Sequence, residues 1–130
     1  LSVLVVGGYI AIFSMIIDIA IDLKVVEMLS TLLAKPLSLI GIPQQVAEAS
    51  VISLIEITRG CQAFAQSGVE MKIILPFIAG LLSFGGLSIT FQSLTFLKSC
   101  KINFGFYMLT KLTQAIVTFV LSLGIVALFY

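Results

Sequence analysis

Three uncharged apolar runs dominate the pattern of hydrophobic and polar positions along the chain. They cover residues 1–17, 73–97 and 112–130 and contain 17, 25 and 19 residues. An α-helix needs roughly 20 consecutive apolar residues to cross a bilayer. Together with the neighbouring positions that a helix can include, the runs predict membrane helices at residues 1–23, 72–97 and 112–130.

Charged residues flank these runs. Asp18 and Asp22 lie one helical turn apart near the end of the first run. They indicate either a helix end that emerges among lipid headgroups or a polar face turned toward the interior of a bundle, because membrane carboxylates rarely face lipid. Lysines cluster at Lys98, Lys101 and Lys111, and by the positive-inside tendency we expect the connection that they surround to be cytoplasmic.

The pattern between residues 24 and 72 differs, because its apolar stretches of 7 to 12 residues are separated by single charges. Such pieces are too short to cross a membrane. Residues 25–42 predict an amphipathic helix. Gly41 and Pro43 would end it, because neither residue type continues a helix.

Residues 43–71 predict a re-entrant or interfacial hairpin. We expect a helix to restart at Gln44 and to end at Gly60, followed by another short polar piece. Short apolar segments interrupted by Gly or Pro are typical of hairpins that enter a membrane and return, where they line a cavity or are covered by protein. Both Pro43 and Gly60 are candidate positions for the tip.

The run at residues 73–97 would form a straight helix about 37 Å long, longer than the roughly 30 Å hydrocarbon core. Its centre contains adjacent glycines, Gly85 and Gly86, each of which weakens a helix by roughly 1 kcal/mol. We expect an interrupted membrane helix with an unwound centre, whose two halves direct backbone dipoles at a common site. The alternative is a continuous helix in which the glycines allow close packing.

Composition indicates a lipid environment and narrows the chemistry. Of the 130 residues, 60% are hydrophobic and 10% charged, with a mean hydropathy of +1.24, whereas a soluble domain carries about 25% charged residues. The net charge of +1 gives no long-range field, so nucleic acid is not an expected partner. The chain has no histidine, its two cysteines do not form a close pair, and no catalytic or nucleotide motif occurs. We therefore expect neither an enzyme nor a metal site nor a cofactor.

One candidate binding surface is the polar face predicted for residues 44–60. At about 100° per residue, five positions fall on one side of that helix: Gln45, Glu48, Ile52, Glu56 and Arg59. Glu56 and Arg59 are three residues apart, so their side chains could pair. The face is either an interfacial stripe turned to water or a binding stripe at a hairpin tip. In the second case Glu56 and Thr58 form hydrogen bonds and Arg59 holds an anion.

A second candidate surface surrounds the glycine pair. Hydroxyls, an amide and an unwound backbone there offer donors and acceptors without charge: Ser83, Gly85, Gly86, Ser88, Thr90 and Gln92. Such groups suit a polar organic solute or a sodium ion better than a catalytic metal. Serine and threonine in membrane helices also bond back to their own carbonyls, which is the structural alternative.

The chain begins at Leu1, without an initiator methionine, a basic leader or a cleavage site before the first apolar run. We interpret it as a fragment of a longer protein. The remainder of the same polypeptide is then an expected partner.

Two segments resemble a known family. Residues 54–60 read Leu-Ile-Glu-Ile-Thr-Arg-Gly, and residues 79–89 read Ala-Gly-Leu-Leu-Ser-Phe-Gly-Gly-Leu-Ser-Ile, with Gln92 close behind. They resemble the C-terminal part of the YlbJ-type sporulation integral membrane proteins, which carry an E-[IV]-T-x-G turn and an S-F-G-G-L-S-[VI] segment with a nearby glutamine. The resemblance covers roughly residues 46–118.

The resemblance implies an all-α polytopic membrane protein that forms one half of an inverted-repeat transporter-like fold. It implies a place in the bacterial cell membrane or the forespore membrane, and dipicolinate as a solute, whose carboxylates would fit Arg59. The wider grouping includes nucleoside-recognition gate domains. In related nucleoside transporters, an acidic residue at a hairpin tip and an unwound segment bind the solute together, and Glu56 and residues 83–88 would be the counterparts here.

These expectations favour a secondary transporter of a small polar or anionic metabolite, with its site between the Glu56 hairpin and the Gly85-Gly86 break. The expected binding residues are Glu56, Thr58, Arg59, Ser83, Gly85, Gly86, Ser88 and Gln92. The expected partners are a small-molecule solute, the lipid bilayer, the rest of the polypeptide and a second copy in a homo-oligomer. The alternatives are a non-transporting membrane scaffold in spore formation and a gate module of a nucleoside or ion permease.

Overall fold

The computed structural model of the protein describes residues 2–130, apart from the side chain of residue 99. Over this range the chain is helical and contains no β-strand. The helices are α1 (Ser2–Asp22), α2 (Val25–Ser38), α3 (Gln44–Ile55), α4 (Ile57–Gln66), α5 (Met71–Phe84), α6 (Gly86–Leu97) and α7 (Phe104–Phe129), with a 3-10 turn at Lys98–Cys100 between the last two. The prediction of an all-α chain is confirmed.

Three helical segments are long and apolar enough to cross a membrane. They are α1, the α5–α6 segment Met71–Leu97 and α7, with 21, 27 and 26 residues and mean hydropathies of 2.3, 2.0 and 2.2. The last segment begins eight residues before the predicted start at residue 112. Its earlier start has a local cause: the Asn103 side chain accepts hydrogen bonds from the backbone N–H groups of Gly105, at 2.8 Å, and Phe106, at 3.4 Å. A side chain that caps the first turn in this way stabilises a helix start.

The predicted amphipathic segment is helical over α2 only. The helix ends at Ser38, four residues before the predicted boundary, and the chain turns through Gly41, whose φ is +76°. Glycine is favoured there because it adopts positive φ at little cost. Pro43 then stands immediately before α3, in extended conformation.

Helices α3 and α4 form an antiparallel hairpin whose tip is Glu56. Val46 and Ala49 of α3 pack with Phe64 of α4, so the second helix returns along the first. The prediction that the helix would end at Gly60 is wrong, because Gly60 lies inside α4. Its lack of a side chain serves packing instead, since a Cβ on Gly60 would collide with Ser53 of α3.

The α5–α6 segment is interrupted at Gly85, as the unwound-centre prediction requires. Gly85 has φ +88° and Gly86 has φ +70°, values that side chains disfavour. The interruption redirects the chain. Before it, α5 packs on α7, where the Phe77 and Phe119 rings meet edge to face at 5.2 Å.

After the interruption, α6 packs on α1. The Tyr9 and Thr95 hydroxyls lie 2.8 Å apart, and the Phe13 and Phe91 ring centres 5.8 Å apart. These pairs make α1 and α6 antiparallel. One end of the bundle therefore holds the start of α1 and the end of α6; we call it the lysine end, after Lys98 and Lys101.

The opposite end, which we call the hairpin end, holds the end of α1 and the base of the hairpin. There Ile21 lines the same groove as Gln66, and Ile74, near the start of α5, packs with Val46 and Phe64. The buried core lies around the hairpin, whereas α7 has no buried residue and α1 only two. The outer helices thus present apolar surfaces to the surroundings.

Candidate functional site

The two interruptions of the helices meet inside the bundle. A Cβ built on Gly86 would lie 2.7 Å from the Ser53 carbonyl oxygen and 3.3 Å from that of Leu54. The backbone of Gly86 therefore lies directly against the last turn of α3, beside the hairpin tip. The carbonyls of a last helical turn lack partners within their own helix and carry partial negative charge, whereas a helix start carries partial positive charge. The end of α3 and the start of α6 are thus electrostatically complementary.

The helix is interrupted at the glycine pair, so the continuous-helix alternative is wrong, although Gly86 does allow the close packing that this alternative invoked. Gly85 provides the unwound centre, and Gly86 provides the close approach of two backbones. The sequence presented them as alternatives because nothing in it shows which segment packs against the glycines. The hairpin supplies that segment.

Glu56 lies at the hairpin tip and is only 1% exposed. Its carboxylate oxygen Oε2 accepts a hydrogen bond of 2.8 Å from the backbone N–H of Arg59. A carboxylate at a helix start is favoured both by this bond and by the helix dipole. The carboxylate therefore ends one helix and starts the next, which explains why the interruption lies here and not at Gly60.

The Arg59 guanidinium pairs with a different carboxylate from the one expected. Its Nη2 atom lies 2.8 Å from Oδ1 of Asp18 on α1, so the side-chain pair between Arg59 and Glu56 does not form. Asp18 thereby contacts the hairpin, although its side chain is 60% exposed, so the pair does not decide between the two interpretations of this residue. The pairing of residues 41 positions apart has no signal in a single sequence.

The start of α6 carries a buried polar set. Ser88 is fully buried and Gln92 is 9% exposed, and the Gln92 amide Nε2 donates to the Ser88 hydroxyl at 3.1 Å. Thr90 is also buried, and its hydroxyl bonds back to the Gly86 carbonyl at 2.8 Å. Ser88 and Gln92 therefore form a side-chain pair, whereas the Thr90 hydroxyl only bonds back to a carbonyl of its own helix.

Two of the expected binding residues lie elsewhere. Thr58 is exposed in the first turn of α4. Ser83 faces α7, where its hydroxyl accepts from Thr118 at 3.2 Å and its carbonyl lies 3.5 Å from the Lys111 ammonium group. The structure thus brings Glu56 and Gly86 to one crossing, with Ser88 and Gln92 following on α6, and separates Ser83 and Thr58 from it.

A polar groove of about 550 Å³ runs along the hairpin beside α1. Its polar lining consists of Gln45, Glu48, Arg59, Gln62, Gln66 and Ser67. Four of the five positions of the predicted polar face line it, namely Gln45, Glu48, Ile52 and Arg59. Glu56 does not, because it is enclosed at the tip. Gln62 and Gln66 join the groove because α4 folds back on α3, a return that the predicted end at Gly60 did not include.

The groove and the crossing differ in access. The polar residues along the groove are exposed or half-buried, whereas Glu56 and Ser88 are closed off by packing. The two buried groups are therefore not accessible from the groove in this structure. Within residues 2–130, no three His, Cys, Asp or Glu side chains cluster in a way that would hold a metal ion.

No protein-family model matches the chain, and comparisons with curated proteins and with solved structures find no match either. The resemblance of residues 46–118 to the YlbJ-type proteins therefore remains a prediction.

Proposed function

We propose that this protein is a membrane transporter of a small polar or anionic solute and that the crossing of the Glu56 hairpin with the Gly85-Gly86 break is its gate. One observation carries the proposal: two interrupted helices meet near the middle of a 27-residue apolar segment. Interrupted helices at membrane depth are typical of transporter binding sites, because unwound backbone is tolerated there only beside a cavity or under protein.

The proposal includes a re-entrant hairpin. Gly86, which the hairpin tip contacts, is the sixteenth of the 27 residues from Met71 to Leu97. The base of the hairpin lies beside Ile21, near the end of α1. A segment that starts at one end of the spanning helices, reaches their middle and returns to the same end enters a membrane without crossing it.

The groove would be the entry path. It extends from the hairpin end, at Gln66 and Ser67, toward Arg59 near the tip. An anionic group of a solute would replace Asp18 as the partner of the Arg59 guanidinium, which binds carboxylates with two parallel hydrogen bonds. Glu48 lines the same groove, so a solute that also carries hydrogen-bond donors fits better than one that is anionic throughout.

The gate would then be the crossing itself. Release of Asp18 removes the ion pair between α4 and α1 and leaves the apolar cluster that includes Ile17 and Ala63 as their contact. Movement of the tip away from Gly86 would expose Glu56, Ser88 and Gln92 to the solute. These groups supply one carboxylate, one hydroxyl and one amide, which suit hydrogen bonding to a polar solute.

The resemblance to the YlbJ-type proteins extends this proposal to a biological setting. It would make the protein a component of the cell or forespore membrane of a spore-forming bacterium, with dipicolinate as the solute. Arg59 supports a carboxylate ligand, and the amide and hydroxyl side chains of the groove support a nucleoside as the second candidate.

The test is uptake of labelled dipicolinate and, separately, of a labelled nucleoside into proteoliposomes that contain the full-length protein. We expect uptake of one of them by the wild type and its loss in Glu56→Gln. Glu70→Gln is the matched control, because Glu70 is an exposed residue paired with Lys72 outside the crossing. Normal uptake by Glu56→Gln would overturn the gate assignment. Uptake of neither solute by the correctly inserted wild type would favour the scaffold alternative.

A further inference from the structure

A separate cavity of about 340 Å³ lies at the lysine end, between the end of α6 and the start of α7. Two lysines and an apolar wall line it: Leu94, Leu97, Lys98, Lys101, Ile102, Phe104 and Tyr107. None of these residues contributes to the crossing or to the groove. The cavity therefore offers two cations beside a hydrocarbon-like surface.

The two lysines have no carboxylate near them. Residues 73–130 contain no Asp or Glu. The neighbouring part of α1, which precedes Asp18, contains none either. The ion pairs found among residues 2–130 involve Arg59 and Lys72. The positive charge of the cavity is thus not neutralised by the described part of the protein.

Tyr107 lines the same cavity with its ring, and its hydroxyl lies closed off beside it. Its hydroxyl is buried and finds no hydrogen-bond partner among the described residues. A buried hydroxyl without a partner is uncommon, because burial removes its bonds to water. An acceptor from outside the described residues would satisfy it.

The position of the cavity indicates where such an acceptor comes from. It lies where two of the three candidate membrane segments, Met71–Leu97 and Phe104–Phe129, end and begin. This level corresponds to the lipid headgroups when the segments span a bilayer. Basic pockets between membrane helices are known to hold anionic headgroups.

We propose that this cavity binds the phosphate group of an anionic membrane lipid. Lys98 and Lys101 neutralise the phosphate, and the Tyr107 side chain turns so that its hydroxyl, which is closed off without the lipid, donates a hydrogen bond to one of the phosphate oxygens. An acyl chain of the lipid lies along Leu94 and Leu97. The proposal does not depend on the transport function, because no residue is shared with the groove or the crossing.

The test measures which lipid the full-length protein retains. The protein is reconstituted in mixed phosphatidylglycerol and phosphatidylcholine, extracted in mild detergent, and analysed by native mass spectrometry. We expect the wild type to retain phosphatidylglycerol in preference. Two lysines near a membrane surface contribute enough attraction that Lys98→Gln with Lys101→Gln lowers this preference about 30-fold.

A further variant tests the contribution of Tyr107, and two others serve as matched controls. Tyr107→Phe removes one hydrogen bond and is expected to lower the preference about fivefold. Lys72→Gln and Tyr130→Phe change the same residue types outside the cavity and are expected to retain the wild-type preference. Equal phosphatidylglycerol retention by the wild type and the double lysine variant would overturn the proposal.

A competition arm distinguishes a lipid from a free anion. Inorganic phosphate is added in excess to the lipid-loaded protein. We expect it to leave phosphatidylglycerol bound, because it lacks the acyl chains that contact the apolar wall. Complete displacement by inorganic phosphate would show that the cavity is a site for free phosphate and would overturn the lipid assignment.

Discussion

The two helix interruptions that meet in this protein are built in different ways. At Glu56 the backbone is extended, with φ −144° and ψ 116°, and the Glu56 side chain caps the helix that follows. At Gly85 the backbone is left-handed, with φ 88°, and no side chain caps α6. The first interruption depends on a carboxylate and the second on the absence of side chains. Substitutions that remove the carboxylate should therefore perturb the interruption at Glu56, whereas substitutions that add a side chain should perturb the interruption at the glycine pair.

The largest effect is expected at the second interruption. Gly86→Leu places a side chain against the carbonyls of Ser53 and Leu54 at a position with φ +70°. Steric overlap and backbone strain together should lower the free energy of unfolding by about 3 kcal/mol or more. Thermal unfolding in detergent measures this. Gly124→Leu is the matched control, because a Cβ there meets nothing within 4 Å, and equal losses in both variants would contradict the close crossing.

A smaller but clear loss is expected inside the hairpin. Gly60→Ala adds one methyl group where α4 lies against Ser53 of α3. Such overpacking should cost about 2 kcal/mol of stability. Gly124→Ala again serves as the control, and it should be neutral or stabilising because alanine favours a helix more than glycine does. An unchanged unfolding temperature for Gly60→Ala would contradict the antiparallel hairpin.

Substitutions of the Glu56 carboxylate at the first interruption should change the stability of the protein moderately. Glu56→Ala removes the cap of α4 and should cost about 1 kcal/mol. Glu56→Gln retains an oxygen that accepts from the Arg59 N–H, so it should cost less. If transport is lost in Glu56→Gln while stability is nearly retained, the carboxylate acts in transport and not only in folding. Equal destabilisation by both variants would mean that the charge, not the hydrogen bond, holds the tip.

The smallest effect is expected for the ion pair between α1 and α4. The Arg59 and Asp18 side chains are 33% and 60% exposed, so their coupling should be about 0.5 kcal/mol. A double-mutant cycle of Asp18→Asn and Arg59→Gln measures it. Solute binding should instead become tighter in Asp18→Asn, because this substitution frees the Arg59 guanidinium for an anionic solute. Weaker solute binding in Asp18→Asn would argue against Arg59 as the anion contact.

The same contrast explains what the sequence could predict. The three long apolar helical segments and the interruption at Gly85 follow from local composition, because long apolar runs and adjacent glycines act within a few residues. The residue pattern alone placed the tip at Pro43 or Gly60, because a carboxylate is a strong helix start only when the preceding backbone leaves the helix; only the family resemblance implied a tip at Glu56, where the structure has it. The early start of α7 was missed because the Asn103 cap precedes the apolar run.

The candidate site depended on long-range contacts and was predicted only in part. Gln45, Glu48 and Arg59 were expected on one face, and they share a groove because the hairpin folds back, not because they lie on one helix. Ser83 was assigned to the site by its proximity to the glycines, yet it faces α7. No periodicity shows which neighbour a helix turns toward after an interruption.

The most direct test of the gate is the accessibility of the buried group behind it. Ser88 is fully buried, so Ser88→Cys, in a chain whose Cys61 and Cys100 are replaced by alanine, should react slowly with a membrane-impermeant thiol reagent in resting proteoliposomes. When dipicolinate or the nucleoside is being taken up, the account predicts faster labelling, because the hairpin tip moves away from Gly86. Labelling that stays slow while the same vesicles accumulate solute would contradict it.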